Sequence, residues 1–288
     1  MIRDVGMSAA GTSALLALPA DHPGVHDSAY RARRAEIARV AEGFRPGTDP
    51  ADVSYTPEED DVWANVSGRL AREHARHACS DYRRTMARLD LPTDRVPQLR
   101  EVNQAVSALT GFGVQPVPGL VPARQFYGAL GRRTFLSTQY VRHHSVPFYT
   151  PEPDIIHEII GHAPALGSEL LAEVYQAAGQ ASARTQGDAA HQFLSRVFWF
   201  TIEFGLVGED GEDKAYGAGL LSSFGELQEY SGALVSPWDI LAMGTTEYDI
   251  TTYQPLLFRA DSFERMTRDL MAFFTDYGDE WYADMVAP

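Results

Sequence analysis

The chain has 288 residues, 44% of them hydrophobic and 11% aromatic, enough apolar material to bury a large core as one domain or two small ones. Its 24 basic residues against 39 acidic ones leave a net charge of -15, which disfavours nucleic acid or an anionic membrane surface as partner and fits a soluble acidic enzyme. The single cysteine, Cys79, excludes an internal disulfide framework and a cysteine-rich metal site, and no run reaches the roughly 18–20 apolar residues of a membrane span.

Residues 1–19 read as a flexible or weakly helical lead-in. A secretory signal is disfavoured, because Arg3 is offset by Asp4 and the apolar stretch is broken by Gly11, Thr12 and Ser13. With no internal repeat and no low-complexity linker, residues 20–288 read as one domain. Residues 28–43 have apolar spacing, helix formers and a terminal Gly43, which predicts a helix with a C-cap. Thr56-Pro57-Glu58-Glu59 supplies an N-cap, a proline at the first position and a glutamate at the third. The helix it opens is predicted to run through Trp63, Val66 and Leu70 to about Leu89, with Cys79 inside it as a small buried thiol. A third helix is predicted from near Gln98 to Gly111. His74 and His77, three apart on an arginine-rich face, read as solvated rather than as ligands. Residues 111–136 change character: glycine and proline recur in GFGVQPVPGLVPARQF, and short strands and loops fit best.

The stretch that carries chemistry is PDIIHEIIGHAP, residues 153–164, together with Glu203 in the apolar run WFTIEFGLV. His157, His162 and Glu203 offer two neutral nitrogen ligands and one charged oxygen, the pattern of the facial triad that binds non-haem Fe(II) and leaves other metal positions open. Zinc peptidases write HExxH, which puts both histidines on one helical face. Here the motif is HExxxH, and five residues at about 100° each leave the rings some 140° apart on a straight α-helix. Both rings reach one metal only if His157 sits in an irregular first turn or the helix is distorted near Gly161, and Asp154 is placed to cap its start. Two hydrogen-bonded core histidines are the bland alternative. A lone Glu203 in an apolar run is costly to bury ionised, so a cation is expected beside it. Residues 167–198 read as helices, residues 216–230 as a segment rich in small residues that allow close approach, and one helical pattern runs from Phe263 to about Tyr277.

TQYVRHHSVPFYTPEPDIIHEIIGHAPAL, FWFTIEFGLV and KAYGAGLLSSFGELQEY resemble the three catalytic blocks of the pterin-dependent aromatic amino acid hydroxylases, the phenylalanine, tyrosine and tryptophan hydroxylases. ADHPGVHDSAYRARRAEIA and TGFGVQPVPGLVPARQF resemble further segments of that family, in order, from about Ala20 to about Tyr282. The resemblance implies a mainly helical fold with a small β component, and a monooxygenase in which Fe(II), O2 and tetrahydrobiopterin or a related tetrahydropterin hydroxylate the ring of a free aromatic amino acid. It implies His157, His162 and Glu203 as iron ligands. Glu158 reaches the pterin and the iron-bound water without ligating, Gly119, Leu120 and Val121 meet the pterin's polar edge, and Phe126 stacks on its ring.

For the amino acid, the resemblance implies Arg142 and Thr150 at the carboxylate and Trp199 as a wall of the ring pocket. Ser222 orients the first histidine and borders the substrate, while Tyr248 and Ile250 complete the pocket edge. Departures from the family pattern occur at Pro122 and Ala123, where hydroxyl residues are common, at His144, where animal members have glycine, and at Phe198, which replaces a tyrosine. Trp199 argues against tryptophan as substrate and Ile250 against tyrosine, which leaves L-phenylalanine to L-tyrosine as the expected reaction and meta hydroxylation as its alternative. A zinc hydrolase with Glu158 as base, or a non-catalytic binding module, would be the readings from other classes. Only ten residues follow Gly278, too few for a sustained heptad seam, so a cytoplasmic monomer is expected.

Overall fold

Asp27 accepts hydrogen bonds from the Ala29 and Tyr30 N–H groups and so starts the helix Ser28–Glu42, which Gly43 ends as the pattern predicts. The structure, a computed structural model, describes residues 18, 21–148, 150–250 and 252–286. The expected lead-in falls almost wholly outside them. Thr56 and Glu59 form the predicted reciprocal capping box, and the helix Pro57–His77 that follows turns Trp63, Val66 and Leu70 into the core. It does not reach Leu89. Ala78 and Cys79 are extended, the Cys79 N–H donates to Ala215 O at 2.9 Å, and a new helix, Ser80–Leu89, begins beyond them. A contact with a residue some 140 positions away breaks this helix, and nothing in the local sequence signals it. Cys79 is buried as expected, and burial pushes its thiol up to about 12.

The third helix, Leu99–Thr110, ends on Gly111 at φ 74°, a left-handed position that suits glycine. Residues 111–136 hold the expected short strands, β1 (Gly113–Pro116) and β2 (Thr134–Ser137), paired in parallel. They also hold a helix that was not expected, Ala123–Leu130, which starts just after Pro122 and carries Phe126. The second sheet joins β3 (Leu206–Glu209), β4 (Glu212–Ala215), β5 (Leu234–Pro237) and β6 (Leu256–Ala260) in the order β4-β3-β6-β5, antiparallel only between β3 and β4. Helices make up most of the rest, including Glu169–Arg184, Asp188–Phe198 and Phe263–Asp276, so the molecule is mainly α with a small β component. A short helix, Asp279–Met285, lies beyond the last predicted one.

One buried cluster runs from Trp63 and Leu70 through Ile155, Ile159, Phe198 and Phe200 to Phe274 and Tyr277. The segments 157–162 and 199–203 pass beside its packed residues, with Ile159, Ile160, Phe200 and Ile202 belonging to it, which anchors the two turns. No helix among the described residues is long and apolar enough to cross a membrane.

Candidate active site

Residues 157–162 wind as a π-helix, with the Ala163 N–H donating to Glu158 O, five residues back. An i→i+5 winding holds about 4.4 residues per turn, so positions five apart return to within roughly 50° of each other. That removes the 140° mismatch of an ordinary helix and puts His157 and His162 on one face. The distortion expected near Gly161 therefore extends over the whole motif. Gly161 permits it: a Cβ there would lie 2.6 Å from Ala218 O, so only glycine lets this segment press against Ala218–Ser222. Tyr82 Oη donates to Ile160 O at 2.9 Å, which satisfies a carbonyl within the rewound turn. Glu203 is carried the same way, at the end of the π-turn Trp199–Glu203, where the Phe204 N–H donates to Trp199 O.

The three side chains converge. His157 Nε2 and His162 Nε2 lie 3.0 Å apart, and the Glu203 carboxylate oxygens sit 3.8 Å and 3.4 Å from them, so that one ligand atom from each falls within 4.8 Å of the others. His157 Nδ1 is engaged by Ser222 Oγ and His162 Nδ1 by Tyr175 Oη, both at 2.8 Å. Burial holds both imidazoles below their ordinary pKa, the neutral form a metal requires. Two neutral rings with their outer nitrogens occupied turn Nε2 lone pairs toward each other beside a carboxylate, and a cation between them resolves that arrangement. A 3.0 Å spacing is also what two cis ligands with bonds of about 2.1 Å present. The residues fit the metal.

Two cavities meet at this cluster and share Pro153, His157, Trp199 and Glu203. The first is lined by Gly119, Leu120, Val121, Phe126, Glu158, Phe198 and Tyr248 among others. Glu158 hangs from Thr138, whose N–H and Oγ1 both lie 3.2 Å from its Oε1, and burial pushes its carboxyl up to about 8. The second cavity is lined by Arg142, Thr150, Ser222, Glu226, Ile250 and Gln254 among others. Every residue expected at the pterin thus borders the first cavity, and those expected at the amino acid border the second, with the exception of Tyr248.

Residues 7–282 match the sequence family described as "Biopterin-dependent aromatic amino acid hydroxylase". The chain is 42% identical to the phenylalanine 3-hydroxylase of Streptomyces coeruleorubidus over 265 residues, 92% of this chain and 95% of that protein. It is 43% identical to the phenylalanine-4-hydroxylase of Caenorhabditis elegans over 252 residues, 85% of this chain but only 55% of the worm protein. Among solved structures, Chromobacterium violaceum phenylalanine hydroxylase with bound oxidised Fe(III) superposes with a TM-score of 0.74 at 28% identity, covering 86% of this chain and 93% of that one. The chain belongs to the biopterin-dependent aromatic amino acid hydroxylases. Fe(II), a tetrahydropterin and O2 are accordingly the cofactors of this hydroxylase.

Within the hydroxylase, Tyr248 and Ile250 do not share one pocket edge. Tyr248 stacks on Trp199, ring centroids 4.3 Å apart and planes at 9°, and faces the first cavity, whereas Ile250 faces the second. Phe198, at the position that departs from the family's tyrosine, is buried edge-on to Phe126, Tyr127 and Tyr175. His144 stacks on His143 at 4.4 Å and faces the surface near Glu58. Asp154 does more than cap: its Oδ1 accepts from the His157 N–H, and its two oxygens take the Arg142 Nε and Nη2 at 3.0 Å and 2.7 Å. One buried carboxylate thereby ties the expected carboxylate-binding arginine to the metal-binding turn.

Four residues near the site escape a reading by motif. Tyr175 holds His162, Gln254 accepts from Trp199 Nε1 at 3.0 Å, and Glu226 accepts from the Gln254 backbone N–H at 2.7 Å. His74 is the fourth, and it corrects an expectation: it is buried, not solvated. Its Nε2 lies 2.7 Å from Leu221 O and its Nδ1 3.3 Å from Tyr82 Oη, the same hydroxyl that reaches Ile160 O. The chain Leu221–His74–Tyr82–Ile160 therefore braces the segment that holds Ser222 against the segment that holds the two histidines. His77, by contrast, is partly exposed beside Glu73 and Tyr230.

Proposed function

We propose that this hydroxylase acts on the ring of free L-phenylalanine, holding iron through His157, His162 and Glu203, with the pterin in the first cavity and the amino acid in the second. The observation that carries this reading is the position of the three-ligand cluster in the wall between two cavities of opposite chemistry. Bound together, iron and the tetrahydropterin supply the oxygen activation that no side chain can. The protein's part is ligation, orientation and exclusion of water.

Ser222 and Tyr175 fix the direction of the two imidazoles, so that each presents Nε2 inward. Phe126 offers an aromatic face, and the backbone at Gly119, Leu120 and Val121 offers polar edges, to a flat heterocycle. Glu158 has burial and two Thr138 contacts to keep it a hydrogen-bonding group of the pterin side and not a fourth ligand. On the other side, Asp154 orients the Arg142 guanidinium toward a carboxylate, with Thr150 and Ser222 adding hydroxyls. Trp199, held by Gln254 and stacked on Tyr248, forms the wall for the substrate ring, and the apolar Ile250 gives a phenol nothing to bind. These features favour phenylalanine over tryptophan and tyrosine.

Hydroxylation at the para position, to L-tyrosine, is the first reading. A specific observation favours the meta position as the second: the Streptomyces phenylalanine 3-hydroxylase aligns over 95% of its own length. Chromatography of the product of the iron-loaded enzyme with tetrahydrobiopterin against authentic para-, meta- and ortho-tyrosine separates them. A higher kcat/KM for tyrosine or tryptophan than for phenylalanine would overturn the substrate assignment.

A further inference from the structure

The amino acid cavity contains a charge that the reading above leaves unused. Its lining includes the ionisable side chains of Arg142, Glu152, His157, Glu203 and Glu226. Arg142 is paired with Asp154 at 2.7 Å, Glu152 with Arg34 at 2.8 Å, and His157 and Glu203 belong to the metal cluster. Glu226 is only 7% exposed, yet among the described residues it meets no cation. Its contacts are neutral donors: the Gln254 N–H at 2.7 Å and the Ser223 hydroxyl. Desolvation with no compensating cation pushes its carboxyl up to about 7.

A carboxyl buried in a ligand cavity without a cation is costly when ionised, unless the ligand brings the cation with it. A free amino acid does so. Its carboxylate and its ammonium sit on the same carbon, so a site that takes the carboxylate at Arg142, Thr150 and Ser222 must also receive a positive charge close by. Among the described residues that line the cavity, no other carboxylate is free to take it, because Glu152 is paired with Arg34 and Glu203 belongs to the metal cluster.

We propose that Glu226 receives the α-ammonium of the substrate, so that Arg142 and Glu226 together read the zwitterion. The proposal rests on the assignment of this cavity to the amino acid. It explains why a carboxyl stands where an amide would serve equally well as acceptor for the Gln254 N–H. It also makes Glu226 a filter for free amino acids: a peptide, whose nitrogen is acylated and uncharged, leaves the carboxyl unpaired. Through the Gln254 backbone, the same contact reaches the group that holds Trp199, so substrate charge and ring wall are joined in one short chain.

Calorimetric titration of the iron-loaded enzyme under anaerobic conditions tests this with three ligands: L-phenylalanine, 3-phenylpropanoate, which lacks the ammonium, and 2-phenylethylamine, which lacks the carboxylate. Glu226→Gln keeps the acceptor for Gln254 and removes only the charge. It is expected to weaken phenylalanine and 2-phenylethylamine by about tenfold or more and to leave 3-phenylpropanoate within about twofold. Unchanged binding of phenylalanine, or an equal loss of all three ligands, overturns the proposal. Arg142→Lys serves as the control on the cavity itself and is expected to weaken phenylalanine and 3-phenylpropanoate but not 2-phenylethylamine. If Arg142→Lys leaves 3-phenylpropanoate unchanged, the assignment of the cavity fails whatever Glu226 does.

Discussion

The two cavities share four residues and little else. The first is walled by Val117, Leu120, Val121, Phe126, Phe135 and Phe198, and among the described residues its one ionisable group outside the metal cluster and Tyr248 is Glu158, tethered to Thr138. The second carries Arg142 and Glu226, the hydroxyls of Thr150, Ser222 and Ser223, and the apolar side chains of Phe148, Trp199 and Ile250. A flat, neutral heterocycle is recognised by area and by backbone hydrogen bonds, whereas a zwitterion with an aromatic tail needs opposed charges at one end and a dry slot at the other. The cluster stands between them, so that under the proposed assignment each ligand would approach it from its own side. What differs is how the protein resists desolvation: the first cavity has almost no charge to bury, and the second must balance each charge that it buries.

The largest effects fall on the wall common to both cavities. His157→Ala, His162→Ala and Glu203→Ala are each expected to lose the metal and reduce turnover to background, as read by metal content and oxygen uptake. Glu158→Ala, which touches only the pterin side, is expected to keep its iron and raise the KM for tetrahydropterin while the KM for phenylalanine stays put. Loss of iron from Glu158→Ala as complete as from the histidine variants would erase the division between the cavities.

Next come the hydroxyls behind the histidines. Ser222→Ala and Tyr175→Phe remove one partner each from rings whose Nε2 atoms face inward, and a loss of about 10–100-fold in metal affinity is expected from either. Titration of the apo-protein with cobalt(II), followed by absorbance, measures this without turnover. Ser222 also borders the amino acid cavity and Tyr175 does not line either, so Ser222→Ala alone is expected to weaken phenylalanine binding in the metal-saturated protein.

Ring choice belongs to the second cavity. Trp199→Phe removes part of the slot wall and the hydrogen bond to Gln254, and it is expected to shift kcat/KM toward tryptophan over phenylalanine by roughly tenfold, the scale of a pocket-size change. An unchanged ratio would show that Trp199 holds structure without setting specificity.

The smallest predicted effect concerns the brace behind the common wall. Burial lowers the His74 pKa from its ordinary 6.5 to about 4. The folded-state value lies below the unfolded one, so His74 costs nothing above pH 6.5, and its contribution lowers stability progressively as pH falls from there to about 4. At pH 5 the linkage amounts to about 2 kcal/mol. His74→Gln is expected to lower stability at pH 7 by losing contacts, but to lose less than the wild type between pH 7 and pH 5, as measured by denaturant unfolding at each pH. Parallel pH curves for the two proteins would place His74's titration elsewhere.

Much of this protein is written locally. The capping box at Thr56 and Glu59, the glycine stop at Gly111 and the start signal at Asp154 each act within four residues, so the sequence by itself determined where those helices begin or end. The grouping of His157, His162 and Glu203, which the structure brings together, was also legible as a candidate set, because few residue types can hold iron and an ionised carboxylate in an apolar run calls for a cation. The tertiary structure alone decided the rest. The helix predicted to reach Leu89 stops at His77 because Cys79 pairs with Ala215, and Phe126 rides on a helix that glycine and proline had hidden. The five-residue histidine spacing is inconsistent with a shared face on an α-helix and becomes productive only through a π-winding. That winding depends on Gly161 against Ala218 and on Tyr82 reaching Ile160 O, contacts spanning roughly 60 and 80 residues of chain. Burial of His74 and the lack of a cation for Glu226 are likewise properties of what other segments bring alongside, and a spacing pattern cannot express them.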